Sequence, residues 1–182
     1  MTQRRIYQEE FPYFITFRTI EGYPLFEKTK YAVLLAYVLF RSCAMKGYVL
    51  HAYCIMPDHV HLLAGHQPNQ AQAAVPAIGP TNINQPIAPT AGCAGFNVSQ
   101  LMHAIKSYFV TAMRHKFKFN DPIWQKRFNT RVVNTDEYLA TIIDYIKNNP
   151  TKENLPKKFR QRPYQYLSCF LAKIWVEFNY NY

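Results

Sequence analysis

Residues 48–65 read YVLHAYCIMPDHVHLLAG, two apolar runs joined at Pro57 and Asp58. Alternation along the second run puts His59, His61 and Leu63 on one face, and Val60, Leu62 and Ala64 on the other. Residues two apart on one face of a strand are about 6.5 Å apart at Cα, close enough for two imidazoles to converge on one ion. A His-X-His pair can equally be two polar residues on a solvated face. The preceding run, residues 49–56, is apolar on both faces, as in a strand central to a covered sheet. An unoccupied polar pair in the middle of such a sheet is costly, which favours a site.

The flanking sequence extends this hairpin into a domain. Upstream, residues 11–19 (FPYFITFRT) place Phe11, Tyr13, Ile15 and Phe17 on one face of a half-buried first strand. Gly22 and Pro24 mark a turn. From Glu27 to about Lys46, Tyr31, Leu34, Leu35, Val38 and Leu39 form one apolar helical stripe, which Gly47 ends. Downstream, residues 66–96 are rich in Ala, Pro, Gln, Asn and Thr, without charge before Asn97, and read as a flexible, poorly ordered insertion. His66 and Cys93 within it have no partner spacing.

A second helix is expected from an N-cap at Ser99 to about Lys116, with a stripe of Leu101, Ile105, Tyr108, Phe109, Ala112 and Met113. Its His103 and His115 read as surface residues. After a break at residues 120–122, Arg131-Val132-Val133 reads as a basic strand. Thr135 then caps a third helix with Asp136 and Glu137 in its first turn, and Pro150 is expected to stop it after Asn149. Leu139, Ile142, Ile143 and Ile146 are its core stripe. Tyr138 and Tyr145 fall at one edge of that stripe, and Asn149 follows Tyr145 one turn later on the same side. A boundary tyrosine that merely snorkels is the bland alternative for Tyr145.

Length and composition bound the function. The chain has 182 residues, with 21 Lys+Arg against 11 Asp+Glu and a net charge of +10, which favours a polyanionic partner. With 14 Tyr and 13 Phe there are also rings for stacking on unpaired bases, although most belong to the core. Cys43, Cys54, Cys93 and Cys169 are scattered, without a Cys-x-x-Cys pair, which argues against a zinc ribbon or disulfide framework and fits a reducing cytoplasm. No apolar run is long enough to span a bilayer, and the polar residues 1–10 predict no secretory signal.

Two histidines on one ion, a tyrosine at the edge of a nearby helix and a basic surface together suggest phosphoryl chemistry. The ion would polarise a phosphodiester, and the phenol would attack it to form a covalent phosphotyrosine. Because that link conserves bond energy, the strand can be rejoined elsewhere.

Met56-Pro57-Asp58-His59-Val60-His61-Leu62-Leu63 resembles the His-hydrophobic-His signature of HUH endonucleases, in the form used by single-tyrosine transposases. Trp124-Gln125-Lys126-Arg127-Phe128 and the run from Asp144 through Tyr145 and Asn149 to Pro150 resemble, in the same order, the later blocks of the REP-associated tyrosine transposases. The resemblance covers roughly residues 6–160 apart from the insertion. It implies an α+β fold, an RRM-like or ferredoxin-like antiparallel sheet packed with helices, and the independent order β-α-β-β-α-β-α agrees.

The resemblance further implies that His59 and His61 bind Mg²⁺ or Mn²⁺ with the amide oxygen of Asn149 as a third ligand. Tyr145 would be the nucleophile, giving a 5′-phosphotyrosine and a free 3′-OH on single-stranded DNA that carries a palindromic hairpin. Arg4, Arg5, Lys126, Arg127, Arg131, Lys157 and Lys158 are the candidate DNA contacts. The working unit would be a monomer or homodimer with no membrane partner. Residues 1–162 are expected to form the single HUH domain, with the insertion at about 66–96. Residues 163–182 are expected to be a tail of uncertain structure, and beyond Arg162 no Trp-containing segment of the expected kind follows.

Three functions compete on these residues. The first is the transposase. The second is a domesticated or inactive protein that binds hairpins without cutting. The third is a metal hydrolase of a small substrate, which calls for a further Asp or Glu ligand. Tyr108 is a rival nucleophile, though its position in the apolar stripe suits core packing better.

Overall fold

A computed structural model describes residues 11–66 and 96–168. Arg4, Arg5, Cys93, Cys169 and almost all of the expected insertion lie outside the described residues. The chain order is β1 (Tyr13–Arg18), α1 (Thr29–Met45), β2 (Tyr48–Ile55), β3 (His59–His66), α2 (Val98–Phe117), β4 (Asn129–Val132), α3 (Asp136–Lys152) and β5 (Gln165–Leu167), with short 3-10 turns between. The strands form one antiparallel sheet in the order β4-β1-β3-β2-β5. The first four strands with α1 and α2 make the β-α-β-β-α-β unit of the ferredoxin-like fold, and β5 adds an edge beyond residue 162.

Alternation along the strands gives the sheet two different faces. Tyr13, Ile15 and Phe17 of β1, Tyr53 and Ile55 of β2, and Val60, Leu62 and Ala64 of β3 pack under α1 and α2 in the larger core. Ala52 and Cys54 of β2 and Leu63 of β3 face the other way, with Met56 beside them, and pack against Ile142, Ile143 and Ile146 of α3. β3 is thus the central strand, and His59 and His61 lie on the α3 face.

Four local readings are revised. The N-cap of α2 is Asn97, whose side chain accepts from the Gln100 backbone N–H while the Gln100 side chain accepts from the Asn97 N–H, so this reciprocal box outcompetes Ser99. Pro150 does not stop α3, which continues to Lys152. Proline removes the N–H that would bond to Ile146, and Gln165 of β5 compensates: its Nε2 donates to the carbonyls of Ile146 (3.0 Å) and Lys147 (2.9 Å). Tyr108 is not core. It is 36% exposed, with the Arg41 guanidinium 5.5 Å from its ring. Finally, β3 runs on to His66, whose ring packs 4.2 Å from that of Tyr48, so the sheet reaches into what reads as insertion.

Among the described residues, no helix is long and apolar enough to cross a membrane.

Candidate active site on the α3 face

The ladder registers line up one row of side chains across the sheet. Asn129 of β4 pairs with Thr16 of β1, Thr16 with His61 of β3, His61 with Cys54 of β2, and Cys54 with Gln165 of β5. Directly paired residues share a face. The adjacent positions add Arg131 opposite Phe14, and Arg18 opposite His59. The site is therefore built on the rigid centre of the sheet.

The two imidazoles meet at Nε2, 3.1 Å apart. Each is fixed from behind at Nδ1: His59 by Asp58 Oδ1 at 2.6 Å, and His61 by Thr16 Oγ1 at 3.0 Å. A carboxylate only accepts, so His59 Nδ1 carries the proton of this bond. Phe14 stacks on His61 with centroids 5.6 Å apart and planes at 15°. Both histidines are 4% exposed, and this burial, with smaller contributions from His59 and Arg18, pushes the His61 imidazole down to about 3. His61 is consequently neutral at physiological pH, the state in which imidazole ligates metals.

Tyr145 closes the site from α3. Its hydroxyl lies 3.4 Å from His61 Nε2, its ring stands edge-on to those of His61 and Phe14, and it remains 36% exposed. The hydroxyl thus borders both the imidazole pair and solvent. Asn149, one turn on, is 3% exposed, and its amide nitrogen has no hydrogen-bond partner. A half-turn of the amide would put its oxygen in the same place.

These residues fit a divalent ion. Two imidazole nitrogens about 2.1 Å from one ion are about 3 Å apart when they bind as neighbours, matching the observed gap. The backing of each Nδ1 is the usual second layer of a histidine metal site. Among the described residues there is no group of three His, Cys, Asp or Glu able to hold a metal. Asp58 is already engaged by His59 and lies 4.0 Å from Arg18 Nη1. Burial pushes the Cys54 thiol up to about 12, and it contacts Met56 Sδ at 3.5 Å.

The basic candidates fall into two groups. Gln125 N donates to the carbonyl of Arg18 at 3.0 Å, and Thr19 bridges to Trp124, so the loop carrying Lys126 and Arg127 runs past the His59 end of β1. Lys106 of α2 ties that loop down through its ammonium, which lies 2.7, 3.5 and 3.3 Å from the carbonyls of Gln125, Lys126 and Arg127. Lys126 also lines a groove of about 720 Å³ with Trp124, Phe128, Lys106 and Arg114. Arg131 lies on the site face. Lys157 and Lys158 are on a separate turn (Lys157–Arg160), where Lys158 Nζ donates to the Glu27 carbonyl at 2.9 Å.

Phe14, Thr16 and Arg18 belong to this site but escaped the sequence reading, which placed Asp58 in the turn without assigning it a role. The available signal was the period of two: in FITFR the residues between the apolar ones must line the opposite face. Their alignment with His59 and His61 depends on β1–β3 register, which no local pattern reveals.

Comparison with known proteins follows the same lines. No protein-family model matches the chain. It is 28% identical over 125 residues to a Haemophilus influenzae protein named "Putative REP-associated tyrosine transposase", covering 68% of this chain and 61% of that protein. The chain is similar to the REP-associated tyrosine transposases. A solved structure of a REP-associated tyrosine transposase bound to a REP hairpin shares its fold, with TM-score 0.61 and 20% identity over 91% of this chain and 81% of the other. The chain thus spans about three fifths of the length of the curated relative it matches.

Proposed function

We propose that this protein is a single-strand DNA transposase that cuts and rejoins DNA through Tyr145. The observation that carries the reading is the convergence of one tyrosine hydroxyl and two oriented imidazoles: Tyr145 Oη at 3.4 Å from His61 Nε2, and the two Nε2 atoms 3.1 Å apart. The similarity to REP-associated tyrosine transposases supports it. The substrate proposed is single-stranded DNA with an imperfect palindromic hairpin; the related solved structure is bound to a REP hairpin.

His59 Nε2, His61 Nε2 and the Asn149 amide oxygen would hold Mg²⁺ or Mn²⁺, which when bound supplies Lewis-acid polarisation of the scissile phosphate. Tyr145 presents its hydroxyl beside that position, from a helix fixed to the sheet by Ile142, Ile143 and Ile146. The phenol oxygen forms a bond to phosphorus as the bond to the 3′ oxygen breaks. The phenol proton is lost, the departing 3′ oxygen takes one up, and the products are a 5′-phosphotyrosine and a free 3′-OH. Reversal with a different 3′-OH rejoins the strand. Arg18 and Arg131 would hold the phosphate backbone across the open side of this face, and Lys126 and Arg127 would extend the contact along the loop past its His59 end.

The test is incubation of purified protein with labelled single-stranded hairpin DNA from its own flanking sequence and Mg²⁺ or Mn²⁺, read on a denaturing gel. A metal-dependent covalent adduct is expected, lost in Tyr145→Phe and His59→Ala while hairpin binding largely survives. Undiminished cleavage by Tyr145→Phe would remove Tyr145 as nucleophile. Tight hairpin binding without any adduct would leave the binding-only function.

A further inference from the structure

We infer that Lys106 is a positioning residue that shapes the loop before β4 into a phosphate-binding arch, setting Lys126 and Arg127 for the DNA backbone without touching DNA itself. The inference rests on the proposed DNA function. The arch follows from the register. Asn129 pairs with Thr16 of β1 and Trp124 bridges to Thr19, so the chain spends residues 125–128 where β1 spends only Phe17 and Arg18. The surplus must leave the plane of the sheet. Both feet are fixed. At one, Gln125 N donates to the Arg18 carbonyl at 3.0 Å, and the Trp124 ring packs on Phe17, Phe26 and Phe109 with centroids 5.1, 5.8 and 5.4 Å away. At the other, β4 begins its ladder with β1.

An ammonium fills the span between the feet. Lys106 Nζ, reaching across from α2, lies 2.7, 3.5 and 3.3 Å from the successive carbonyls of Gln125, Lys126 and Arg127, and 5.6 Å from the centre of the Phe128 ring. Three carbonyl dipoles around one cation keep the backbone curled over it. A trans peptide turns its C=O and N–H in opposite directions, so the N–H groups of Lys126 and Arg127 point away from Lys106. They meet no backbone acceptor among the described residues, and the side chains beside them are exposed. Outward N–H groups flanked by two cationic side chains suit the oxygens of a phosphate backbone. Lys106 works from the inner side of the arch, and without it the three carbonyls lose the charge that gathers them.

The experiment is a double-mutant cycle, read as binding of labelled hairpin DNA from the protein's own flanking sequence over a range of salt. Lys106→Met removes one charge and keeps the apolar stem. It should nevertheless lower the slope of log affinity against log salt by about 2, the loss expected for Lys126 and Arg127 together, where a single direct contact would lower it by about 1. In the Lys126→Ala/Arg127→Ala protein the same change should leave affinity within about twofold and the slope unaltered. Urea melts check that each variant is folded, and Lys106→Gln takes the place of Lys106→Met, with the same expectations, if the methionine variant is not. Equal losses in the intact and the stripped loop would mean that Lys106 contacts DNA directly. Wild-type affinity in Lys106→Met would mean that the arch needs no tether, and wild-type affinity in Lys126→Ala/Arg127→Ala that the arch does not meet DNA. Any of these overturns the role of Lys106 while the DNA function stands. Failure of the wild-type protein to bind the hairpin would overturn both.

Discussion

The two faces of the sheet are made from alternate residues of the same strands, yet they do opposite work. In β1, Tyr13, Ile15 and Phe17 are buried under α1 and α2, while Phe14, Thr16 and Arg18 surround the histidines. In β3 the same alternation separates Val60 and Leu62 from His59 and His61. One face is covered by two helices and is built mainly of apolar side chains. The other is covered by α3 alone, and its open side carries the polar and basic groups. The lesson is that a strand can be held rigidly by one set of side chains while the intervening set is free to carry chemistry, so the site inherits its precision from a core it does not share.

The sharpest way to break this comparison is to make one substitution on each face. Leu39→Ala, in the α1 stripe packed on the closed face, should cost about 2–5 kcal/mol of unfolding free energy, because it leaves a cavity where nothing can relax into it. Tyr145→Phe on the open face should stay within about 0.5 kcal/mol of the parent, since its hydroxyl borders solvent. Urea melts of the two variants measure both. Similar losses would mean that α3 and its tyrosine are part of the folding core.

Acid separates the faces next. His61 is held down to about 3, chiefly by burial, against an ordinary value near 6.5. Below about pH 6.5 the unfolded chain gains a proton at His61 that the folded chain refuses until about pH 3. Stability should therefore fall on acidification through that window, by up to about 1.4 kcal/mol per pH unit from this group, and be fully present above it. Replacing His61 with Asn should flatten the pH dependence of the urea midpoint. An unchanged slope would show that His61 is not the group responsible.

The smallest effect expected is on DNA affinity. Arg127→Ala should weaken hairpin binding and reduce the slope of log affinity against log salt by about 1, with no change in melting behaviour. An unaltered slope would take the Lys106-tethered loop out of the DNA footprint and leave binding to Arg18 and Arg131 on the site face.

Legibility in the sequence follows the same division between local and non-local signals. The hairpin, the helical stripes and the Thr135 cap were legible because a period of two, a period near 3.6 and a capping side chain act within a few residues. So were His59, His61 and Tyr145 as a candidate set, through the spacing of the histidines and the edge position of the tyrosine. The partners were not. Thr16, Phe14 and Arg18 reach the histidines through a register 45 residues away in the case of Thr16. β5 is only three residues long, too short for a periodic signal, and it is its Gln165 that allows α3 to continue through Pro150. Tyr108 misled because helical spacing alone does not distinguish a core position from one at the rim beside Arg41.

The most direct test of the central claim, that chemistry belongs to the α3 face, is to locate the covalent bond. Protein trapped with hairpin DNA and Mn²⁺ would be digested with nuclease and protease, and the nucleotide-bearing peptide sequenced by mass spectrometry. The account predicts a nucleotide phosphate on Tyr145 and nowhere else. A nucleotide on Tyr108, on the opposite side of the sheet, would contradict it.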